Sequence, residues 1–428
     1  MQRSDENVAT TSRVSTSSHR AAERSTVPQS GRRTRLSTPG KLVTTLLRAF
    51  GQPRIRFVLW NGERIDPPNP PVATIRIADR RTLLKLCADP DLHFGEAYSD
   101  GRLEVEGDFI KLIEEIYRSP PSGKNPVAVA RRVASRLHRR PSNTLDGSRD
   151  NIHRHYDIGN DFYSAWLGPT MAYTCAYYPT PTDTLEVAQF AKMDHVARKL
   201  RLRPGQSVVE AGCGWGSLAL HMARHYGVKV RAFNISREQL EYARKVARQE
   251  GLDGAVEFVE DDYRNIAGQY DAFVSVGMLE HVGVENYPQL GEVIDRALKP
   301  KGLGLIHSIG RNRAKPMHRW IDRYIFPGAN PPSLREMTGI FEGRSFSVLD
   351  VENIRLHYAR TLEHWYSNYE ESKDRVATMF DERFVRMWRL YLLGSTAAFR
   401  SGELQLFQVV FARGDNNEIP WTRADIYE

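Results

Sequence analysis

One stretch limits the folds open to this chain more than any other: Val208-Val209-Glu210-Ala211-Gly212-Cys213-Gly214-Trp215-Gly216. An apolar run ends in an acid. Three glycines follow at alternating positions, and helical periodicity then runs from Ser217 to Tyr226. Such a segment reads as a strand, a turn too tight for side chains, and a helix N-terminus. Glycine lets a backbone approach a ligand closely, and the free N–H groups of a first helical turn favour polar or anionic ligand atoms. The spacing is G-x-G-x-G, whereas dinucleotide folds use G-x-G-x-x-G, and no P-loop lysine follows. A nucleoside ligand without a pyrophosphate suits this variant, and S-adenosylmethionine (SAM) is one. A plain glycine-rich strand–helix turn is the alternative.

Strand and helix alternate after this turn. Strands are expected at Ser207–Ala211, Lys229–Phe233, Ala255–Val259, Asp271–Val276 and Gly302–Ser308, and helices at 217–226, 236–250 and 287–298. The alternation predicts an α/β fold with a doubly wound, mostly parallel sheet. Ligands of such sheets bind at the carboxyl ends of the strands. Those ends carry Gly212–Gly216, Asn234–Gln239, Asp261-Asp262-Tyr263 and Gly277-Met278-Leu279-Glu280-His281. Ser236 and Gln239 form a capping box on one reading; on the other, Asn234, Ser236 and Gln239 face the nucleoside. A carboxylate at a strand end, as Glu280 is, more often serves function than structure. Glu280 and His281 are adjacent on the chain, a spacing that rarely chelates a metal.

Four regions frame this core. Residues 1–38 are rich in Ser, Thr and Arg and too polar to bury a core; they read as a disordered basic tail, either solvated or tethered to anionic lipid. Residues 39–118 form a small α+β domain, with strands at Ile55–Trp60 and Val72–Ile77, a hairpin turn at Asn61-Gly62, and an amphipathic helix at Phe109–Tyr117. A basic linker spans 119–150, in which a helix at Val127–Leu137 would carry Arg131, Arg132 and Arg136, suited equally to a membrane surface and to solvent. The catalytic domain spans 151–428. It opens with the dense stretch His153 to Tyr163, followed by Met171 to Tyr178, a texture of a site wall more than of a core. The spacing of His153, His155 and Asp157 matches no established metal-ligand set, and no metal is expected. Thr184–Leu200 is helical. Trp320 to Pro327 is an aromatic insertion that either packs or lines an apolar channel. Two last strands, near Phe346–Val351 and Leu404–Phe411, enclose helices at 361–376 and 381–400, with Tyr358 just ahead of the first.

Charge and cysteines narrow the setting. A net charge of +8 is compatible with nucleic acid or an anionic membrane. The nucleic-acid methyltransferase alternative lacks its signatures: the fourth strand ends in Gly277-Met278-Leu279-Glu280, not Asn/Asp-Pro-Pro-aromatic, and no Cys follows a Pro. Cys87, Cys175 and Cys213 have no paired spacing, which points to a reducing, cytoplasmic setting. No run is long and apolar enough to span a bilayer, and the N-terminus has no secretory h-region.

Several stretches together resemble the cyclopropane-fatty-acyl-phospholipid synthases, kin of the mycolic acid cyclopropane synthases. They are His155 to Tyr163, Tyr173-Thr174-Cys175-Ala176-Tyr177, Glu210 to Gly216, Gly277 to Gly283, Tyr358-Ala359-Arg360-Thr361-Leu362 and Leu404 to Phe411. The resemblance covers about 40–413. It implies a seven-stranded SAM-dependent methyltransferase sheet and methyl transfer to the cis double bond of an unsaturated acyl chain in a phospholipid at a membrane surface. The products would be a cyclopropane ring and S-adenosylhomocysteine. It also implies bound bicarbonate as the base, held by Cys175, Glu280, His307, Ile309 and Tyr358, with Cys175 and Ile309 acting through backbone groups. The SAM positions it implies are Tyr173, Thr174, Gly212, Cys213, Gly214, Gly216, Asn234, Ser236, Gln239, Asp262 and Tyr263. Thr174 stands where many members have Ser, and Asn234 where the mycolate relatives have Thr. The expected location is cytoplasmic, on the inner face of the membrane, with a homodimer left open. Methyl transfer without ring closure, giving a branched or methylene chain, is the alternative from the same SAM site.

Overall fold

The computed structural model of the chain describes residues 36–119 and 158–427. Residues 1–35 of the expected basic tail, the helix at Val127–Leu137 and the His153–Asp157 cluster lie outside the described residues, and Thr38, expected in the tail, opens a helix.

The glycine stretch folds as its composition dictates. Strand β5, Ser207–Ala211, is buried from Val208 onward. Val208 packs into one apolar layer and Val209 and Ala211 into the other, so both faces of the strand are covered, as in a parallel sheet. The helix Ser217–Tyr226 starts after Gly216, whose φ is +83°. A Cβ there would overlap the Phe258 ring and Ala243. The turn is therefore glycine by conformation and by packing.

The other strands of this sheet are β6 (Lys229–Asn234), β7 (Val256–Glu260), β8 (Tyr270–Val276), β9 (Leu298–Gly310), β10 (Phe346–Asn353) and β11 (Gln405–Arg413). Their order is β10-β11-β9-β8-β5-β6-β7. Within the sheet, β11 runs antiparallel to both its neighbours and the other pairings are parallel. The winding reverses between β5 and β8, so a crevice opens at their carboxyl ends.

A second sheet of four strands, β2-β1-β3-β4, precedes it, built from β1 (Ile55–Val58), β2 (Arg64–Ile65), β3 (Ala73–Ile77) and β4 (Leu103–Gly107). The β1–β2 turn closes on Gly62, with φ +81°. Its helices are Thr38–Ala49, Arg80–Ala88, Pro90–Ser99 and Phe109–Arg118. Both sheets belong to one compact unit, residues 38–428. They meet through the helix Glu382–Ser401 and the insertion: Arg386 Nε donates to the Tyr98 carbonyl at 2.6 Å and its guanidinium lies 4.4 Å from the Tyr98 ring centroid. Tyr324 donates to Glu96 at 2.8 Å, and Arg319 pairs with Asp89.

Several boundaries differ from those read off the sequence, two of them by more than a residue or two. β9 is longer than Gly302–Ser308, because pairing with both β8 and β11 extends it at each end. The helix expected at 361–376 is Arg355–Glu371, followed by a separate helix Lys373–Met379. Asn353 Oδ1 accepts from the Arg355 amide at 3.2 Å and starts the first helix early. Ser372, at φ −94° and ψ 0°, breaks it while its hydroxyl donates to the Ala165 carbonyl at 2.7 Å. Tyr358 therefore sits inside the helix, on its first turn, not ahead of it.

Candidate functional site

The crevice at the ends of β5, β6, β7 and β8 holds a cavity of about 1070 Å³, counted to its open mouth. Tyr173, Thr174, Gly212, Cys213, Gly214, Asn234, Gln239, Asp262 and Tyr263 line it. Gly212, at φ +85°, would place a Cβ 2.8 Å from Met278 Cβ, so its bareness lets the β5 turn and the β8 loop touch. Asn234 Nδ2 donates to Gln239 Oε1 at 2.8 Å and to the Gly214 carbonyl at 3.3 Å. That pair ties the second strand end to the glycine turn. Asp262 accepts from the Arg264 amide at 2.9 Å, which fixes its carboxylate at the third strand end.

Two residues expected at the cofactor are not on this wall. Gly216 packs under the turn against Phe258 and Ala243. Ser236 is fully buried and accepts from the Gln239 amide as a helix cap. Its capping box is only half made, because Gln239 turns its side chain to Asn234 and the cavity.

Lys192 and Glu210, the acid before the glycine turn, are not among the expected cofactor positions, yet both line the cavity. Lys192, on the helix Leu185–Lys199, is buried and its Nζ donates to Thr174 Oγ1 at 3.0 Å. Burial lowers its pKa to about 8. Glu210, the last but one residue of β5, has an Oε2 with no hydrogen-bond partner, and burial lifts its pKa to about 7 against the pull of Lys192. A cation and a carboxylate on one cavity wall suit a zwitterion, the form of an α-amino acid.

Next in the chain to the cavity-lining Thr174 and His281 stand two further expected residues, Cys175 and Glu280. Glu280, in the short turn Leu279–His281 after β8, accepts from the Ile309 amide through Oε1 at 2.6 Å. Its Oε2 is buried without a partner, and burial raises its pKa to about 7. His307, on β9, is 2% exposed; burial holds its pKa down to about 3, so the imidazole is neutral. Ile309 had been expected to hold an anion through its backbone. Its amide is instead engaged by Glu280. Cys175 is buried, donates to the Ala176 carbonyl at 3.0 Å, and burial pushes its thiol pKa far up, so it is not a nucleophile. Thr361 braces the same loop: its Oγ1 accepts from the Ala176 amide at 3.0 Å.

A run of aromatic rings leads from Tyr358 to Tyr173 on the cavity wall. Tyr358 stacks on Phe399 at 4.5 Å and meets Trp365 edge-on at 6.0 Å. Trp365 lies 5.4 Å from Tyr173, whose hydroxyl donates to the Tyr391 hydroxyl at 2.9 Å. Phe326 of the insertion reaches Tyr391 at 5.6 Å and His281 at 6.0 Å. Trp320 faces the other way, against Gly95. The insertion thus both packs the helix Pro90–Ser99 and contributes to the aromatic wall. Ring faces of this kind attract positive charge. Among the described residues, no group of three or more His, Cys, Asp or Glu is placed to hold a metal.

Comparison with known proteins follows the same lines. Residues 144–409 match the family model described as mycolic acid cyclopropane synthetase, and 42–125 match a domain of unknown function. A probable fatty acid methyltransferase of Pseudomonas putida is 36% identical over 388 residues, covering 87% of this chain and 96% of that protein. The cyclopropane-fatty-acyl-phospholipid synthase of Escherichia coli (strain K12) is 38% identical, over 81% of this chain and 89% of its own length. A tuberculostearic acid methyltransferase of Mycobacterium tuberculosis is 37% identical, over 64% and 67%. Among solved structures, a mycolic acid cyclopropane synthase complexed with SAH and CTAB superposes with a TM-score of 0.59 at 28% identity, over 64% of this chain and 99% of that one.

Proposed function

The chain belongs to the mycolic acid cyclopropane synthetase family and is a SAM-dependent methyltransferase, and from that premise we propose that it builds cyclopropane rings on phospholipid acyl chains. The substrate is a cis double bond of an unsaturated chain drawn from a membrane surface. Tyr173, Thr174, Gly212, Cys213, Gly214, Asn234, Gln239, Asp262 and Tyr263 hold SAM, with Gly216 and Ser236 shaping the turn and cap behind them.

An alkene is a weak nucleophile, so its alignment with the sulfonium methyl must be tight and dry. Attack forms the new C–C bond, releases S-adenosylhomocysteine and leaves a carbocation on the chain. The rings of Tyr173, Tyr358, Trp365 and Phe399 supply the electron-rich surroundings a cation needs. Ring closure then requires loss of a proton from the transferred methyl, and bicarbonate, when bound, supplies that base. Glu280 and His307, with the loop at Cys175 and the Tyr358 hydroxyl, are the groups suited to hold it. Ile309 acts one step back, by fixing Glu280.

One observation carries this reading: Glu280 is buried with Oε2 unpaired and a pKa near neutrality. A buried carboxyl of that kind can share a proton with an oxyanion instead of repelling it. Thiol chemistry at Cys175 is disfavoured by its raised pKa. The names of two relatives, the fatty acid and tuberculostearic acid methyltransferases, favour a second reading, methyl transfer without ring closure. The two differ only in how the cation is quenched. Expression in a host without cyclopropane lipids, followed by fatty-acid profiling and proton NMR of the extracted lipid, separates them: ring methylene protons support the first reading, and methyl-branched or methylene chains the second.

The same reading places the protein in the cytoplasm, at the inner face of the membrane. No helix among the described residues is long and apolar enough to cross a bilayer.

A further inference from the structure

Glu280 is fixed by the Ile309 amide, and the geometry points to a comparable device for His307. In the register of the sheet, Gln408 of β11 lies directly opposite His307 of β9, and Glu352 of β10 lies opposite Gln408 on the other side. Gln408 is completely buried. Its Nε2 is 3.1 Å from His307 Nδ1, and its Oε1 has no hydrogen-bond partner. A buried amide that satisfies only one of its ends is costly, so the single contact it keeps is informative. An amide N–H can donate but has no lone pair with which to accept a proton. Donation to Nδ1 therefore requires that nitrogen to be bare, and the ring proton then sits on Nε2.

We propose that Gln408 is a positioning residue that locks His307 in the Nε2–H tautomer, so that a neutral imidazole donates a hydrogen bond to the oxyanion of the base site. The proposal rests on the base-site reading given above and adds the residue that sets its polarity. Without the lock, a neutral histidine can turn a lone pair on the anion as readily as a proton.

The surroundings explain why an amide stands here and not a carboxylate. The charged groups around His307 are Lys192, Lys199, His195 and Glu352. Glu352 is already committed, accepting from Lys199 at 2.6 Å and sitting 2.7 Å from His195 Nε2. A carboxylate at 408 would accept from Nδ1–H, reverse the tautomer or draw a second proton onto the ring, and place a negative charge behind the anion. An amide fixes the proton without adding charge.

The test uses the full-length protein, SAM, vesicles of unsaturated phospholipid and carbonate-depleted buffer titrated with bicarbonate. Gln408→Glu and Gln408→Leu should each raise the half-saturating bicarbonate concentration about tenfold or more, the scale of one lost hydrogen bond to a charged partner. SAM affinity by calorimetry should stay within about twofold, a change too small to count as a lost contact. Nitrogen-15 NMR of histidine-labelled protein, with the His307 signal assigned by its loss in His307→Asn, should show Nε2 protonated in the wild type and the pattern reversed or doubly protonated in Gln408→Glu. An Nδ1–H wild-type ring overturns the proposal, as does an unchanged bicarbonate response in both variants. If wild-type turnover ignores bicarbonate altogether, the base-site reading fails by itself. The NMR tautomer still decides what Gln408 does, including where a variant does not fold.

Discussion

The Ile309 amide donates to Glu280 Oε1 at 2.6 Å while Glu280 Oε2 stays buried and unpaired. One oxygen is held by the end of β9 and the other has no hydrogen-bond partner. This division makes Glu280 the pivot of the base site we propose, and it has consequences in both activity and stability.

Glu280→Gln should keep SAM affinity within about twofold while turnover falls by a factor of about a hundred or more, the scale expected for a group that handles a proton in the transition state. Calorimetry with SAM and product analysis on unsaturated vesicles read the two separately. Equal loss of both would mean that Glu280 supports the SAM cavity instead.

The same substitution should stabilise the fold at high pH. Glu280 has a folded pKa of about 7, raised from 4.5 by burial. The folded state therefore binds the proton more tightly than the unfolded state, and this contribution is intact below about pH 4.5 and lost as pH rises through 7. The loss amounts to roughly 3 kcal/mol at most. A glutamine carries no such penalty. Glu280→Gln should melt higher than wild type at pH 8, with the gap closing toward pH 5. A gap that widens toward pH 5 contradicts the assignment.

Lys192 and Glu210 should read the amino-acid end of SAM. Lys192→Met should weaken SAM about tenfold or more, as expected for a lost bond between charged groups, but leave decarboxylated SAM almost unaffected. Titration calorimetry with both ligands forms a double-mutant cycle. Equal weakening of the two ligands would assign Lys192 to packing around Thr174.

Gly212→Ala should cost about 1–3 kcal/mol of stability, because φ +85° is a strained conformation for alanine. It should also weaken SAM binding, because the new Cβ pushes the Met278 loop off the turn. Thermal melts with and without SAM measure both effects.

β5, its glycine turn and the strand ends are legible in the sequence because a short continuous apolar run, a turn chemistry and a helical period follow one another there without interruption. The starts of the last helices were harder to place. Asn353 Oδ1 accepts from the Arg355 amide where the first of them begins, and Ser372 breaks it through a contact with Ala165, a residue far away in the chain. Lys192 was hidden for a related reason. Gln189, Lys192, His195 and Lys199 recur at helical spacing on Leu185–Lys199 and look like a solvated face, yet all are buried. A polar stripe beside an apolar one on the same helix was the available signal. Its meaning depended on β10, which supplies Glu352 to His195 and Lys199, and on the loop that supplies Thr174 to Lys192. The roles of Ile309 and Gln408 depend on pairings across β9 and β11, and local sequence does not encode them.

The central claim is that this chain closes a cyclopropane ring on phospholipid acyl chains at the expense of SAM. Its most direct test is expression of the chain in a host that makes unsaturated but no cyclopropane lipids, with the phospholipid acyl chains then profiled by mass spectrometry and proton NMR. The account predicts unsaturated chains converted to chains heavier by one CH2 that lack the alkene and show cyclopropane methylene protons, with Glu280→Gln giving little or none. An unchanged acyl profile from folded, SAM-binding protein would contradict it.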